Sequence, residues 1–298
     1  MRIMKRASCV VLGVVAALAA TQARTQTIQW KQSINLPKGL NLPKDVKADI
    51  LGIELGDSYD ELKPKLDALL KESIKQPPPQ RTRSQKRAAE GMGNDDSPPL
   101  IEDTTVIRVQ TPGGFIEPAS YIGQIRLKRE LPGTGQRTID DHISIRLSAP
   151  ASGNQVLGLM RTIFYRVPED QPRVSEIMAR LKEKYKTTPQ DHSSGNSLFY
   201  RFQFDNGRAI NPPNASLITC PADYVIETAD SVANREGNCD VVLIVRITAG
   251  LTKDHAEKIE FTLSDNERTK ANKDADFGFI ESYVRDMQGK AKGVAPKL

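Results

Sequence analysis

The stretch Cys239-Asp-Val-Val-Leu-Ile-Val-Arg-Ile247 decides the fold that the sequence predicts. Between residues 241 and 247, six of seven residues are apolar, and five of those six are Val or Ile. A short apolar run does not by itself distinguish a strand from a buried helix, but its length and its β-branched residues favour a strand. We therefore predict an inner strand here, covered on both faces.

Two cysteines lie next to this strand. Cys220 stands nineteen residues before Cys239, and the polar segment between them would be loosely held without a crosslink. A disulfide that closes a loop of this length stabilises the fold by about 3 kcal/mol. Redox or metal-binding thiols are the alternative, but the chain has no CxxC motif and no histidine near either cysteine. The sequence thus predicts a structural disulfide between Cys220 and Cys239.

The first residues predict export. Arg2, Lys5 and Arg6 precede an apolar run over residues 9–20, and small residues follow it. This order is typical of a signal peptide, which we place at residues 1–23. The run is short for a membrane span, although an uncleaved anchor is the alternative. We expect a periplasmic or secreted protein that does not span a membrane after cleavage.

The charge of the mature chain gives little support to nucleic-acid binding. Loss of the three charges in the signal peptide lowers the formal net charge from +5 to +2. The chain is only 38% hydrophobic and 5% aromatic, so part of it is expected outside any packed core.

Composition divides the mature chain into segments. We predict a flexible lead-in over residues 24–48, where Trp30 is either a half-buried packing residue or a docking anchor for a partner. Residues 49–150 and 151–289 form two α+β halves, and the second half contains the disulfide. The first half contains a disordered insertion over residues 72–100, whose basic, proline-rich part is either a solvated linker or a contact for anionic lipid. Residues 290–298 form a loose tail.

Helices and strands alternate in a similar order in the two halves. Ser58 and Glu61 form a capping box before one helix, and Pro172 precedes a second helix. The predicted buried stripe of the second helix comprises Val174, Ile177, Leu181 and Tyr185. A third helix is predicted from about residue 274 to 287, with Phe277, Ile280, Val284 and Met287 on one side.

The strands are predicted from alternation. Residues 106–111, 120–128, 139–148 and 258–263 alternate as half-buried strands do, and Leu198, Tyr200, Phe202 and Phe204 form one face of another strand. We predict an α+β fold of mostly antiparallel sheet with two or three helices packed on it, and possibly a degenerate tandem repeat.

Four basic side chains are predicted to share the outer face of two of these strands. They are Arg126, Lys128, His142 and Arg146. This group is a candidate anion-binding face, and a plain solvated sheet face is the alternative.

No catalytic pattern is present in the sequence, which has no GxSxG, no HExxH and no phosphate-binding glycine loop. Asp140, Asp141 and His142 offer ligands for a divalent metal, but alternation along a strand separates Asp141 from His142, so we expect an exposed trio. The other histidines, His192 and His255, lie in different elements. The sequence predicts no catalytic residue, no metal site and no cofactor.

Short motifs resemble a known set of proteins. The start Ile50-Leu-Gly-Ile-Glu-Leu-Gly-Asp-Ser58-x-x-Glu61-Leu62, the later Leu181-x-x-Lys184-Tyr185 and the cysteine pair are similar to exported proteobacterial proteins with no assigned function. The likeness spans most of the chain after Asp49. This chain has Lys186 where glycine is expected after the tyrosine, and Asp57 where an apolar residue is usual. The resemblance implies periplasmic export and an α+β fold, and it brings no active site.

These observations predict an exported, envelope-associated binding or assembly module without catalytic activity. Its partner would be an envelope protein, a lipid or a glycan, and not nucleic acid. The alternatives are a periplasmic hydrolase with a dispersed active site and a secreted effector or inhibitor.

Overall fold

A computed structural model describes residues 28–74, 98–111, 114–135, 137–210 and 240–290 of the chain. The predicted signal peptide, the disulfide Cys220–Cys239, most of the predicted insertion and residues 291–298 of the tail lie outside the described residues. In the described ranges, no helix has the length and apolar character needed to cross a bilayer.

Three α-helices fall in the described ranges: α1 at Tyr59–Lys71, α2 at Val174–Tyr185 and α3 at Asn266–Lys290. The strands are β1 Asp49–Ile50, β2 Ile53–Glu54, β3 Leu100–Thr111, β4 Gly114–Pro132, β5 Thr138–Leu147, β6 Val156–Phe164, β7 Gln190–Asp191, β8 Ser197–Asp205, β9 Arg208–Ala209, β10 Val241–Ala249 and β11 Ala256–Asp265.

Nine of these strands form one sheet in the described chain, in the order β3-β4-β5-β6-β11-β10-β8-β7, with β9 paired to β8. Its neighbouring strands pair antiparallel, and β1 and β2 form a separate antiparallel pair. The predicted α+β fold is confirmed. Strand β6 pairs with both β5 and β11, so the two predicted halves contribute to the same sheet. The tandem repeat stays a prediction.

The inner strand is confirmed. Strand β10 lies between β8 and β11, and residues 241–245 are all buried. The predicted face of the β8 strand is confirmed as well, because Phe202 and Phe204 lie in the main core and Leu198 and Tyr200 pack against that core.

Helices α1 and α2 pack their apolar stripes on the main core, and we call the sheet face on that core the inner face and the opposite face the outer face. Leu62, Leu66 and Leu69 of α1 are buried there, as are Val174, Met178 and Tyr185 of α2. Ile177 and Leu181 of the predicted stripe are only partly buried and pack against this core.

The ends of these two helices follow the sequence closely. The capping box before α1 is confirmed, since Glu61 N–H donates to Ser58 Oγ and Ser58 N–H donates to Glu61 Oε2. Lys186, which replaces the expected glycine after α2, has a φ of 52°, in the left-handed region that glycine adopts most easily.

Residues 28–48, in the segment predicted as a lead-in, pack on the body of the protein. Ile28, Val46 and Ala48 are buried, and the carbonyl groups of residues 36 and 37 accept hydrogen bonds from the buried guanidinium of Arg268. Trp30 is half-buried and stacks on Phe279 with the ring centroids 5.4 Å apart. The contact with Arg268 is made by main-chain carbonyls, so the hydrophobic periodicity of the sequence does not indicate that this segment packs on the body.

The predicted insertion also has ordered ends. Glu72 accepts a hydrogen bond from Arg129, the Ile74 N–H donates to the carbonyl of Glu130, and Leu100 begins β3. Only residues 75–97 of this range lie outside the described chain.

Helix α3 begins eight residues before its predicted start. Its first turns bury Arg268, Thr269 and Asn272, which are polar and therefore leave no apolar stripe to detect. Phe277, Ile280 and Val284 share one side of this helix as predicted and line a common groove. Phe277 and Met287 are nevertheless 45% and 40% exposed, whereas Ile280 is buried. Phe279, outside that predicted set, makes the contact with Trp30.

Candidate anion-binding site

The four residues of the predicted anion face lie together on the outer face of β4 and β5. Lys128 pairs with His142 in the register, Arg126 pairs with Ser144, and Arg146 pairs with Gln124. Their neighbours on the same strands, such as Leu127 and Ile143, point into the core on the inner face.

An internal carboxylate already binds one of these four residues. Arg126 donates from Nε and Nη2 to the two carboxylate oxygens of Asp103, at 2.7 and 2.8 Å. This bidentate contact lowers the pKa of Asp103 below its usual range. The structure thus brings the four predicted residues to one face, but Arg126 already has Asp103 as a partner within the chain.

The expectation of an exposed trio at Asp140, Asp141 and His142 is wrong for Asp141, which is fully buried on the inner face. Two arginines hold it: Arg129 donates to Asp141 at 2.7 Å, and Arg161 donates to both of its oxygens at 2.9 and 3.1 Å. Alternation separates Asp141 from His142 as predicted, and the arginines on the neighbouring strands compensate the cost of burying its charge. In the described part of the chain, no three potential metal-ligating side chains come together.

A second basic group lies on the outer face near the other edge of the sheet, on β8 and β10. Arg246 pairs with Phe199 in the register, and Arg201 stands two residues further along β8. Their guanidinium carbons lie 5.4 and 5.5 Å from the centroid of the same Phe199 ring. Both contacts fall within cation–π range. Both arginines therefore contact the same aromatic ring.

Neither arginine has a carboxylate partner among the described residues, where their contacts are those with Phe199. The carboxylate opposite Arg246 in the register belongs to Glu260, and it binds Lys258 Nζ at 2.9 Å. Burial, and then the positive charge of Arg246, lower the pKa of Arg201. Like charges that interact in this way are unfavourable unless an anion compensates them.

Uncompensated hydrogen-bond donors surround this pair. Gln190 pairs with Arg201 in the register and is 7% exposed. Gln190 Nε2 and Arg201 Nε are both buried, and neither has an acceptor among the described residues. The ring of His192 lies edge-on to Phe199 with the centroids 6.0 Å apart. Buried donors without acceptors are costly, so an oxyanion bound here would satisfy hydrogen bonds that the described residues leave unmade.

The local sequence explains how these side chains come to share one face. Along β8, Phe202 and Phe204 enter the main core, so Phe199 and Arg201 point the other way. Phe199 packs on Val242 and Ile244, which form a small apolar cluster on the outer face. Val242 and Ile244 thus hold the ring of Phe199 in place beneath the two arginines.

We call Arg201 and Arg246 the outer arginine pair; Phe199, Gln190 and His192 lie around them. The sequence analysis did not predict this group. One feature of the sequence pointed to it, because Arg246 is the single charged residue in the apolar run of β10. The pairing of β8 with β10, which brings the residues together, requires the register.

The three histidines are not brought together. His192 Nε2 lies 3.5 Å from Gln190 Oε1, His255 Nδ1 lies 2.7 Å from Thr252 Oγ1, and His142 packs edge-on to Phe164. In the described chain, none of them contacts a carboxylate.

Comparisons with protein-family models, with curated proteins and with solved structures gave no match for this chain.

Proposed function

We propose that this protein is an exported, envelope-associated binding module without catalytic activity, and that it binds an oxyanion, either phosphate or carboxylate, at the outer arginine pair. One observation carries the proposal: Arg201 and Arg246 both contact Phe199, and neither has a carboxylate partner among the residues that the structure describes. The oxyanion would belong to a lipid, a glycan or a protein of the envelope.

The chemistry of the guanidinium group supports this assignment. It is planar and always charged, and its forked donors match phosphate and carboxylate oxygens. The ring of Phe199 restricts both side chains, so little conformational entropy is left to lose on binding. An anion bound to both arginines would also relieve the repulsion between their charges.

Export rests on the sequence alone. The signal peptide at residues 1–23 and the cysteine pair both fit a compartment outside the cytoplasm, and the resemblance to exported proteobacterial proteins agrees with them. Fractionation of the native host tests this part, and full-length protein in the cytosol with its first residues intact would contradict it.

Titration of the mature protein with pyrophosphate, and separately with vesicles of phosphatidylglycerol, tests the binding site. We expect Arg246→Gln to weaken binding by about tenfold, which corresponds to one charge-assisted hydrogen bond. Arg126→Gln is the matched control, because it removes the same charge from the same sheet face at a site already bound to Asp103. Its affinity should stay within about twofold of the parent protein.

The two probes identify the source of the oxyanion. Binding of pyrophosphate and vesicles alike indicates recognition of the phosphate group itself, whereas binding of vesicles alone indicates a lipid headgroup. Phosphatidylcholine vesicles control for adsorption to lipid. Equal losses in Arg246→Gln and Arg126→Gln, or no binding of either probe, would overturn the proposal.

A further inference from the structure

The strand at one end of the sheet order, β3, pairs with another described strand along only one of its two edges. Its twelve residues pair only with β4, and no other described strand contacts its free edge. The register stays regular on β3 from Leu100 to Ile107, because the extra residue at the first irregularity, Gly123, belongs to β4. A regular free edge presents a row of unpaired N–H and C=O groups to a further strand.

Two common protections of an edge strand are missing from this stretch. Residues 100–107 contain no proline and no lysine, and both residues can discourage pairing at an edge, while the charged Glu102 and Asp103 bind Tyr59 and Arg126 within the chain. Val106 is 43% exposed, so the edge also carries an uncovered apolar side chain.

An apolar groove of about 590 Å³ lies beside this edge, between β3 and α3. Ile107 and Val109 of β3 form one wall, and Phe277, Ile280 and Val284 of α3 form the other. Phe277 is a large apolar side chain and is 45% exposed here. The volume lies in the range of binding sites that accept several side chains or a small molecule.

We propose that β3 accepts an extended segment of a partner polypeptide as an added strand, with apolar side chains at alternate positions seated in the groove. The free edge and the groove share the residue Ile107, so one ligand contacts both surfaces. A strand added to β3 would lie about 4.8 Å away and direct every second side chain towards α3. Its backbone would supply affinity and the groove would supply specificity, as in other cases of strand addition.

The rim of the groove carries charges of both signs. Arg285 lines the groove, is exposed and forms no ion pair within the described chain, and the exposed Glu281 lines it one helical turn earlier. An acidic residue of the partner at the Arg285 end of the groove would pair with this arginine. This surface is separate from the outer arginine pair, and it stands or falls independently of it.

The test uses the mature protein and two synthetic peptides of about ten residues. Both alternate valine and threonine around one glutamate, and the second is N-methylated at alternate amides along one edge. We expect the unmodified peptide to bind, with slower hydrogen exchange in residues 100–107, and the methylated peptide to bind at least about tenfold more weakly. Equal binding of the two peptides, or protection elsewhere in the chain, would overturn the proposal.

Two variants separate the groove from general hydrophobic adsorption. Phe277→Asp places a charge in the groove and should abolish binding, whereas Leu251→Asp changes a residue that is 81% exposed and lies outside the groove, so it should leave affinity unchanged. Circular dichroism of both variants confirms that they are folded. If both variants lose binding, or if both keep it, the assignment of the groove is contradicted. Dimerisation of the protein alone, with protection of residues 100–107, would assign the edge to a second copy of the chain and overturn the partner strand.

Discussion

Two pairs of arginines lie on opposite faces of the same sheet, and they differ in what stands between the guanidinium groups. On the inner face, Arg129 and Arg161 bind the fully buried Asp141. On the outer face, Arg201 and Arg246 flank Phe199 and bind no carboxylate in the described chain. The inner pair is complete within the protein and contributes to its stability, whereas the outer pair has charge available for an external anion. Whether an arginine has an internal carboxylate partner thus indicates better than its burial whether it stabilises the fold or can bind a ligand.

The largest effect is expected on the inner face. Asp141→Asn leaves the buried Arg129 and the partly buried Arg161 around a neutral side chain, and we expect the free energy of unfolding to fall by about 3 kcal/mol, because a buried ion pair loses one partner. Urea denaturation measures this change. The control is Asp140→Asn, which removes a carboxylate paired with the exposed Arg166 and should change stability by less than about 1 kcal/mol. Equal effects of the two substitutions would show that the inner set is not structural.

A buried carboxylate of a different kind sharpens the comparison. Asp276 is 8% exposed and accepts hydrogen bonds from Ala149 N–H and from Ser152. Burial outweighs these bonds and raises the pKa of Asp276 from 3.8 to about 6.

The folded state therefore binds this proton more tightly than the unfolded state, and its contribution to stability is present below about pH 4 and is lost as the pH rises to about 6. We expect Asp276→Asn to raise the free energy of unfolding at pH 7 by on the order of 2 kcal/mol and to have little effect at pH 4. Urea denaturation at both pH values checks this. A variant that is less stable than the parent at pH 7 would contradict the expectation.

A smaller effect should follow from converting the outer pair towards the inner type. Glu260 stands opposite Arg246 in the register, and Lys258 holds its carboxylate. In Lys258→Gln the carboxylate loses this partner and can turn to Arg246, so we expect the affinity for pyrophosphate to fall about threefold. Glu260→Gln in the same background should restore the affinity. An unchanged affinity in Lys258→Gln would mean that Glu260 does not reach the pair.

Much of the fold could be predicted because burial follows simple periods. The β-branched run of β10 and the alternation of β8 identified inner and half-buried strands, and Ser58 with Glu61 identified the start of α1. The first turns of α3 were not predicted, because Arg268 and its neighbours are polar although they are buried. Their burial depends on acceptors from distant segments, such as the carbonyl of Leu36, which no local pattern reveals.

The candidate site was harder to predict for a related reason. Alternation correctly grouped Arg126 with His142 on adjacent strands, but it did not show that Asp103 binds Arg126. Arg201 and Arg246 are far apart in the sequence and become neighbours only through the register of β8 and β10. Sequence patterns identified faces, and the pairing of strands determined which charges remain without an internal partner.

The most direct test of the central claim is the free energy of unfolding of the double variant Arg201→Gln/Arg246→Gln, measured by urea denaturation with and without pyrophosphate. Without pyrophosphate, we predict a stability within about 1 kcal/mol of the parent, because the lost cation–π contacts are offset by relief of like-charge repulsion. With pyrophosphate in excess, the parent should be stabilised and the double variant should not. A double variant that loses several kcal/mol without the anion, or that gains as much from pyrophosphate as the parent does, would contradict the account.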